Sequence, residues 1–423
     1  DFFDDECDAD VAKRTMLEKY KTDHWVAVGG MGCLEVCQSL AVIASSLKLP
    51  AVSFECSQGE SLSDTSLFPD FTRLGTTRSK VPDILVALQA QHGWEHLTII
   101  TDSNLIYYQQ AELLQLAVPD IPSTIYSVSA EQWTATVDLM TQLVSEKRRT
   151  IYFFGNTHLY RRVICASEAA GTLKGLTWIS EGIMSSSWWA EDDVDVMTDA
   201  PICDGTMITD LYRGALLLTG VGEPLTSVDA VLDCYTEHTS SSLNTFIKEQ
   251  LQNGYPAMDP SWTRVDHPHD RVINYVVDGV CMLAKMVQHM LATELTIDDL
   301  RRPTHEVFEV AVAEIKNHVA FQGATGRVNV SGNDVPNHFG IFQVSGNVAS
   351  LVGVADMYGN INVSSGLNSS AWVAAALDDP AEDEFPMMTV VVPSLLGFFC
   401  LIICISLCTA RGKAASTPKQ VDP

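Results

Sequence analysis

Apolar and polar positions along roughly the first half of the chain predict short strands separated by amphipathic helices. His24-Trp25-Val26-Ala27-Val28 reads as a strand and Gly29-Gly30-Met31-Gly32 as a tight turn. In the helix that follows, Leu34, Cys37, Leu40, Ala41, Ala44 and Leu47 recur at helical spacing. Pro50 stops it, and Ala51-Val52-Ser53-Phe54 opens the next strand. The alternation continues with a helix near 79–92, a strand from His96 to Thr101, a helix near 106–116 and a strand from Thr124 to Ser127. Trp133, Val137, Met140, Leu143 and Val144 then line one face of a helix, Thr150 to Phe154 form a strand, and a further helix leads to Cys165. Strands alternating with helices of about 10–15 residues predict parallel sheets covered on both faces. In such folds ligands bind beyond the carboxyl ends of the strands, here near the loops Gly29–Gly32 and Glu55–Gly59.

The texture changes twice further on. From about 239 to 320 the pattern is helical, with Ile273, Val276, Val280, Leu283, Val287 and Leu291 in one stripe. Beyond Phe321, glycine, asparagine and β-branched residues predict strands and turns, with Ile341–Val344 and Ser350–Val354 adjacent in one sheet. An acidic stretch, Asp378 to Glu384, precedes 24 uncharged residues, Met387 to Ala410. As a helix this segment reaches roughly 36 Å, enough for a hydrocarbon core of about 30 Å. Arg411, Lys413 and Lys419 follow, which places the tail in the cytoplasm and everything before the span outside or in a lumen.

Composition narrows the function classes. Asp and Glu outnumber Lys and Arg 53 to 26, and the net charge of -27 excludes nucleic acid as a partner. Eight of 11 cysteines precede the span, where disulfides persist; Cys400, Cys404 and Cys408 lie within it. Sequons at Asn329, Asn362 and Asn368 lie on the same exported side. His267 and His269, flanked by Asp266 and Asp270, read as a solvated loop, and no paired CxxC or other metal pattern occurs. Without G-x-S-x-G, H-E-x-x-H or Walker spacing the chain carries no enzyme signature, and no cofactor is expected.

Three stretches resemble a known family. They are Asp5-Glu6-Cys7-Asp8 with Cys33 after Gly32; Leu49–Phe54 through Leu62-Ser63-Asp64, Phe68–Arg73 and His92-Gly93-Trp94; and Phe321–Val328. Together they are similar to the Venus-flytrap ectodomain of class C G-protein-coupled receptors, most like type B GABA receptors, within the type I periplasmic-binding superfamily. The resemblance implies an α/β, bilobed fold of two Rossmann-like lobes, plus one transmembrane helix. The corresponding boundaries are 1–105 for the first part of lobe 1, 106–205 for lobe 2, 206–340 for the return to lobe 1 with a helical insert, and 341–375 for the closing strands of lobe 2. An acidic linker (376–386), the membrane helix (387–410) and a cytoplasmic tail (411–423) complete the layout. The family's first strand and helix would precede Cys7, and a lobe without them is expected to expose a sheet edge or a hydrophobic gap.

The resemblance also implies disulfides Cys7–Cys33 and Cys165–Cys203, leaving Cys37, Cys56, Cys234 and Cys281 as buried free thiols by default. Its ligand contacts are largely replaced: Leu34 and Gly75 stand where a serine and a histidine are expected, Asn156 and Ile183 where a tyrosine and a tryptophan are, and Val272 near the acid that holds an amine. Ser57 matches a second serine. The expectation is a membrane receptor for a small, amino-acid-like molecule that is not held in the family's manner, with Ser57, Gln58 and Asn156 as candidate contacts and a homo- or heterodimer formed through lobe 1. The alternative is a single-pass adhesion or complex-partner protein that keeps the fold and has lost the pocket.

Overall fold

The computed structural model describes residues 8–22, 25–57, 59–171, 176–181, 188–225, 228–254, 269–293, 295–356 and 360–363. Two sheets organise them. The first is built from β1 (Val28–Met31), β2 (Ala51–Ser53) and β3 (Phe71–Arg73), all parallel and in that spatial order. Helices α1 (Ala9–Thr22) and α2 (Leu34–Leu47) cover one face, where Met16, Val36, Leu40, Ala44 and Phe71 are buried together. Burying apolar side chains of this size contributes about 1.5–3 kcal/mol apiece.

The strand expected at 24–28 starts only at Val28, so Gly29 and Met31 pair with β2 and Gly30 is a bulge between them rather than part of a turn. The physical reason is contact from the far side: a Cβ on Gly29 would sit 3.0 Å from Leu283 Cδ1. Glycine there lets a later helix lie directly on the strand.

The chain then crosses to a second, eight-stranded sheet. A 3₁₀ turn at Arg78–Lys80 leads into α3 (Val81–His92), which has a proline in its first turn and ends on Gly93 at φ 68°. There follow β4 (Leu97–Asp102), α4 (Leu105–Ala117), β5 (Ser123–Val128), α5 (Trp133–Ser145), β6 (Thr150–Phe154), α6 (Thr157–Ala169) and β7 (Thr177–Glu181). Short helices α7 (Val194–Asp199) and α8 (Gly205–Leu211) precede β8 (Leu216–Gly220). Strands β4 to β8 are parallel, in the order β8-β7-β6-β4-β5. The crossing therefore falls before Leu97, ahead of the boundary expected at residue 105, because β4 hydrogen-bonds to β5 and β6.

Alternation along β6 explains why both faces are covered. Phe153 points into one core with Met140, Leu143 and Trp178, whereas Tyr152 and Phe154 point into the other with Ile84, Leu88 and Ile179. On the Phe153 side α6 is buried along most of its length, and Tyr160 stacks on Phe153 with ring centroids 4.1 Å apart. The buried guanidinium of Arg161 lies over the ring of Trp188 at 5.6 Å and donates to Asp193 and to the Trp188 carbonyl.

The chain then returns to the first sheet with α9 (Ser240–Gly254), α10 (His269–Ala292), α11 (Ile297–Arg301) and α12 (His305–Asn317). α10 and α12 cover its second face through Met282, Met286, Met290, Ala311 and Ile315. The hairpin β9 (Ala320–Gly323) and β10 (Gly326–Asn329) follows. A third crossing leads to β11 (Phe339–Ser345), β12 (Val348–Ala355) and β13 (Ile361–Val363), which extend the large sheet antiparallel from β8. The strands expected at 341–344 and 350–354 thus pair as neighbours.

Cysteine pairing departs from expectation. Cys165 pairs with Cys203, but Cys37 pairs with Cys56 and Cys234 with Cys281, so the four positions expected as free thiols are crosslinked. Their Cα atoms lie 6.5 Å and 5.7 Å apart, because α2 leans on the end of β2 and the loop before α9 leans on α10. Cys33 is disulfide-bonded too, and its partner is none of the other described cysteines; Cys7 lies outside the described residues. Thiol titration of the unreduced chain should find none of these seven cysteines reactive. A Cys234→Ser/Cys281→Ser variant should lose about 4 kcal/mol in denaturant titration, given the 47-residue separation of the pair. Unchanged stability would mean the crosslink does not form.

No helix among the described residues is long and apolar enough to cross a membrane. The expected span, Met387–Ala410, lies outside the described residues, as do Gln58, Ile183 and the sequon Asn368. Asn329 on β10 and Asn362 on β13 are both exposed.

Candidate ligand-binding cleft

Three segments pass between the two sheets, and side chains knit them together. Thr76, on the first, meets the Tyr275 hydroxyl of α10 at 3.1 Å. Asn274 donates to the carbonyl of Gly222 on the second, at 2.8 Å. Asn337, on the third, donates to the Leu74 carbonyl at 2.8 Å, and the Val221 amide donates to His338 O. Gly220 permits the close passage: a Cβ there would lie 2.7 Å from Thr76 Oγ1 and 3.0 Å from Tyr275 Oη. Strands β1–β3 and β4–β8 end, at their carboxyl termini, on either side of this junction, where parallel sheets place ligands.

On the first side, β2 ends in Phe54, Glu55, Cys56 and Ser57. Ser57 is half-buried, and its carbonyl accepts the Arg78 amide at 3.1 Å. Arg73 holds the underside of this loop. Its buried guanidinium donates to Cys56 O at 2.7 Å, Gly59 O at 2.9 Å, Ser63 Oγ at 2.7 Å and Asp334 Oδ1 at 2.9 Å. Cys56 takes the left-handed φ of 60° within this clamp. The carboxylate of Glu55 has neither a hydrogen bond nor an ion pair among the described residues, and burial pushes it up to about 7.

On the second side, the Arg78 guanidinium pairs with Glu181 at the end of β7, bonds Gln110 of α4, and lies 5.4 Å from the centroid of Phe154. Burial pushes Arg78 down to about 10 and the Tyr152 and Tyr107 phenols each up to about 12. Among the described residues, Arg78 Nε and Tyr152 Oη both lack a hydrogen-bond partner. Arg78 thus bridges the two edges: its amide is tied to the β2 loop and its side chain to β7 and α4.

These edges settle where the expected contacts lie. Asn156, after β6, is exposed, but its side-chain oxygen caps α6 by accepting from the Leu159 amide at 2.8 Å. Leu34 packs against Gly59, where an added Cβ would meet Leu34 Cδ1 at 2.9 Å. Gly75 has no room for a side chain, since a Cβ would meet Phe54 O at 3.0 Å and Glu55 O at 3.2 Å. Glu55, Arg78 and Glu181 were not singled out from the sequence. For Glu55 a signal existed, an acid directly after a buried strand; for Arg78 and Glu181, far apart in the chain, none did.

One further cluster has metal-ligand chemistry: His158, Asp193 and Asp195. Asp193 Oδ2 already accepts from His158 Nδ1 at 2.9 Å and Arg161 at 3.4 Å, while Oδ1 caps α7. That network is a helix cap with a guanidinium at its centre.

Against this geometry, residues 1–347 match the model of the receptor family ligand binding region. The chain belongs to this family. No curated protein matches the chain. Membership in this ligand-binding family agrees with the arrangement of two sheets, three crossings and facing carboxyl-terminal edges.

Proposed function

We propose that the chain is the ligand-binding ectodomain of a membrane receptor, in which a small molecule enters between two α/β lobes and favours their closure. The facing strand ends carry this reading: Glu55 and Ser57 on one side and Glu181 and Asn156 on the other, with Arg78 bridging them. A ligand shifts the equilibrium between open and closed lobes only by binding the closed form better, and groups on both edges supply that difference. In this reading the ectodomain is extracellular or lumenal, tethered by Met387–Ala410, and related within its family to type B GABA receptors. Leu34 and Gly75 mean that an amino acid would not be held in the manner of those receptors.

A test is available in the full chain once Cys400, Cys404 and Cys408 are replaced by serine, since the described cysteines are all crosslinked and introduced thiols can then be labelled selectively. Val42 of α2 and Leu116 of α4 are exposed, at 55% and 75%. Spin labels there should move closer together on addition of a ligand found by thermal-shift screening of amino acids, amines and small carboxylates. Replacing Glu181 with glutamine should alter the distance distribution, because the Arg78 bridge loses its charge partner. Absence of both a thermal shift and a distance change would sink the receptor reading. A stable dimer alongside that result would favour the second reading, a complex partner without a ligand, which Leu34 and the existing Arg78–Glu181 bridge support.

A further inference from the structure

The loop at the end of β2 holds a carboxylate with no evident structural task beside a ring that packs on the core and is only part-buried. The Glu55 carboxylate has no donor among the described residues, and the Phe54 ring is only part-buried beside it. Both converge over Gly32. A Cβ built on that glycine would lie 3.5 Å from Glu55 Oε2 and 3.7 Å and 3.8 Å from two Phe54 ring carbons, while Gly30, just before, brings the same ring within 3.6 Å. Two glycines thus leave a small recess walled by a carboxylate oxygen and an aromatic ring, at the carboxyl-terminal edge where a ligand would enter. The neighbouring cations are committed elsewhere: Arg73 to Asp334 and two carbonyls, Arg78 to Glu181.

We propose that the ligand of this cleft carries an organic ammonium group, seated over Gly32 against Glu55 and Phe54. This rests on the ligand-binding reading above and adds the chemical class of what is bound. A part-buried carboxylate without a partner gains from an arriving cation. An aromatic ring beside it attracts an alkylammonium through its quadrupole. A divalent metal ion does not fit, because it asks for six or more oxygens. The recess offers one carboxylate and ring carbon, and the nearby Met31 carbonyl is taken by Ser53 Oγ at 2.7 Å. The raised carboxyl of Glu55 agrees with a group that lacks its counter-charge.

The test uses three probes of one size on the full chain at pH 8, by calorimetry and thermal shift: butylammonium, butyrate and 1-butanol. Butylammonium should bind at least tenfold more tightly than the other two. Glu55→Gln should remove that preference, and Phe54→Leu should weaken butylammonium several-fold. Glu55→Gln should also raise the melting temperature of the ligand-free chain, since it removes an unpartnered carboxylate. A lowered melting temperature or failure to fold would reveal a structural role for Glu55 and overturn the proposal. Preference of the wild-type chain for butyrate or butanol, or butylammonium binding unchanged in Glu55→Gln, would overturn it while leaving the receptor reading intact. Failure of all three probes, together with no response to the wider ligand screen, would remove both.

Discussion

Replacing Arg73 with alanine should destabilise the first unfolding transition by about 3–5 kcal/mol, the cost typical of removing one partner from a buried ion pair. Arg73 is fully buried, with four acceptors around it: Asp334, Ser63 and the carbonyls of Cys56 and Gly59. Alanine leaves Asp334 without its counter-charge and two carbonyls without donors. Lysine at the same position should recover only part of the loss, because one ammonium cannot reproduce the planar fork that reaches all of these acceptors. Urea titration of the three proteins measures this, and an alanine variant within about 1 kcal/mol of wild type would refute the account. The consequence extends to the cleft. The loop that Arg73 clamps carries Glu55 and Ser57, so the alanine variant should also lose its response to ligand below its melting temperature.

The second large effect is expected at Gly323. A Cβ there would fall 2.4 Å from Asp278 Oδ1 and 2.6 Å from Cγ, closer than such atoms approach. Asp278 is buried and accepts from the Ala324 amide at 2.6 Å, the Thr325 amide at 2.9 Å and the Thr325 hydroxyl at 2.6 Å. Gly323→Ala must push this carboxylate off its donors, and a loss of about 3 kcal/mol or more follows. Asp278→Ala should cost as much by leaving the three donors unpaired. Combined, the two changes should cost clearly less than their sum, since each alone breaks the same contacts. Additive losses would show that the glycine matters for another reason.

Asp278 also gives a pH signature of definite sign. Burial pushes its carboxyl up from 3.8 to about 6, despite the donors that favour the ionised form. The folded chain therefore holds a proton over that interval which the unfolded chain releases. The stability from this group is complete below pH 3.8 and is lost as pH rises through 6. The difference between wild type and Asp278→Asn should shrink in that direction, by at most about 1.4 kcal/mol per pH unit. A difference that grows with pH would contradict the raised value.

Much of the architecture was legible because it rests on local periodicity. β6 falls at Thr150–Phe154 as its run of apolar residues predicts, α5 follows its apolar stripe, and a helix, α6, does lead to Cys165. β1 was misplaced because its glycines read as a turn when taken locally, and only the distant Leu283 gives them a reason to be in a strand. The pairings of Cys37 with Cys56 and Cys234 with Cys281 were hidden for the same reason: connectivity is a property of the folded chain. Of the expected contacts, Ser57 lies in the loop after β2 and the Asn156 side chain caps α6, a local task that its position before a helix would have allowed. Arg78 could not be assigned in advance, because its role depends on Glu181 and Gln110, which only the assembled sheet brings to it.

The three crossings bear on how the protein is made. Strands β4 to β8 are consecutive in the chain, so most of the large sheet can assemble while later residues are still being synthesised. The small sheet is different: Arg73 waits for Asp334, its partner 261 positions later. The part of the molecule translated first therefore waits for a residue made 261 positions later. Until then α2 and β1 emerge without the helices that cover the second face of their sheet, and a chaperone has a long interval in which to hold them. Cys165–Cys203, which lies wholly within the early block, should oxidise ahead of Cys234–Cys281, whose loop belongs to the late one.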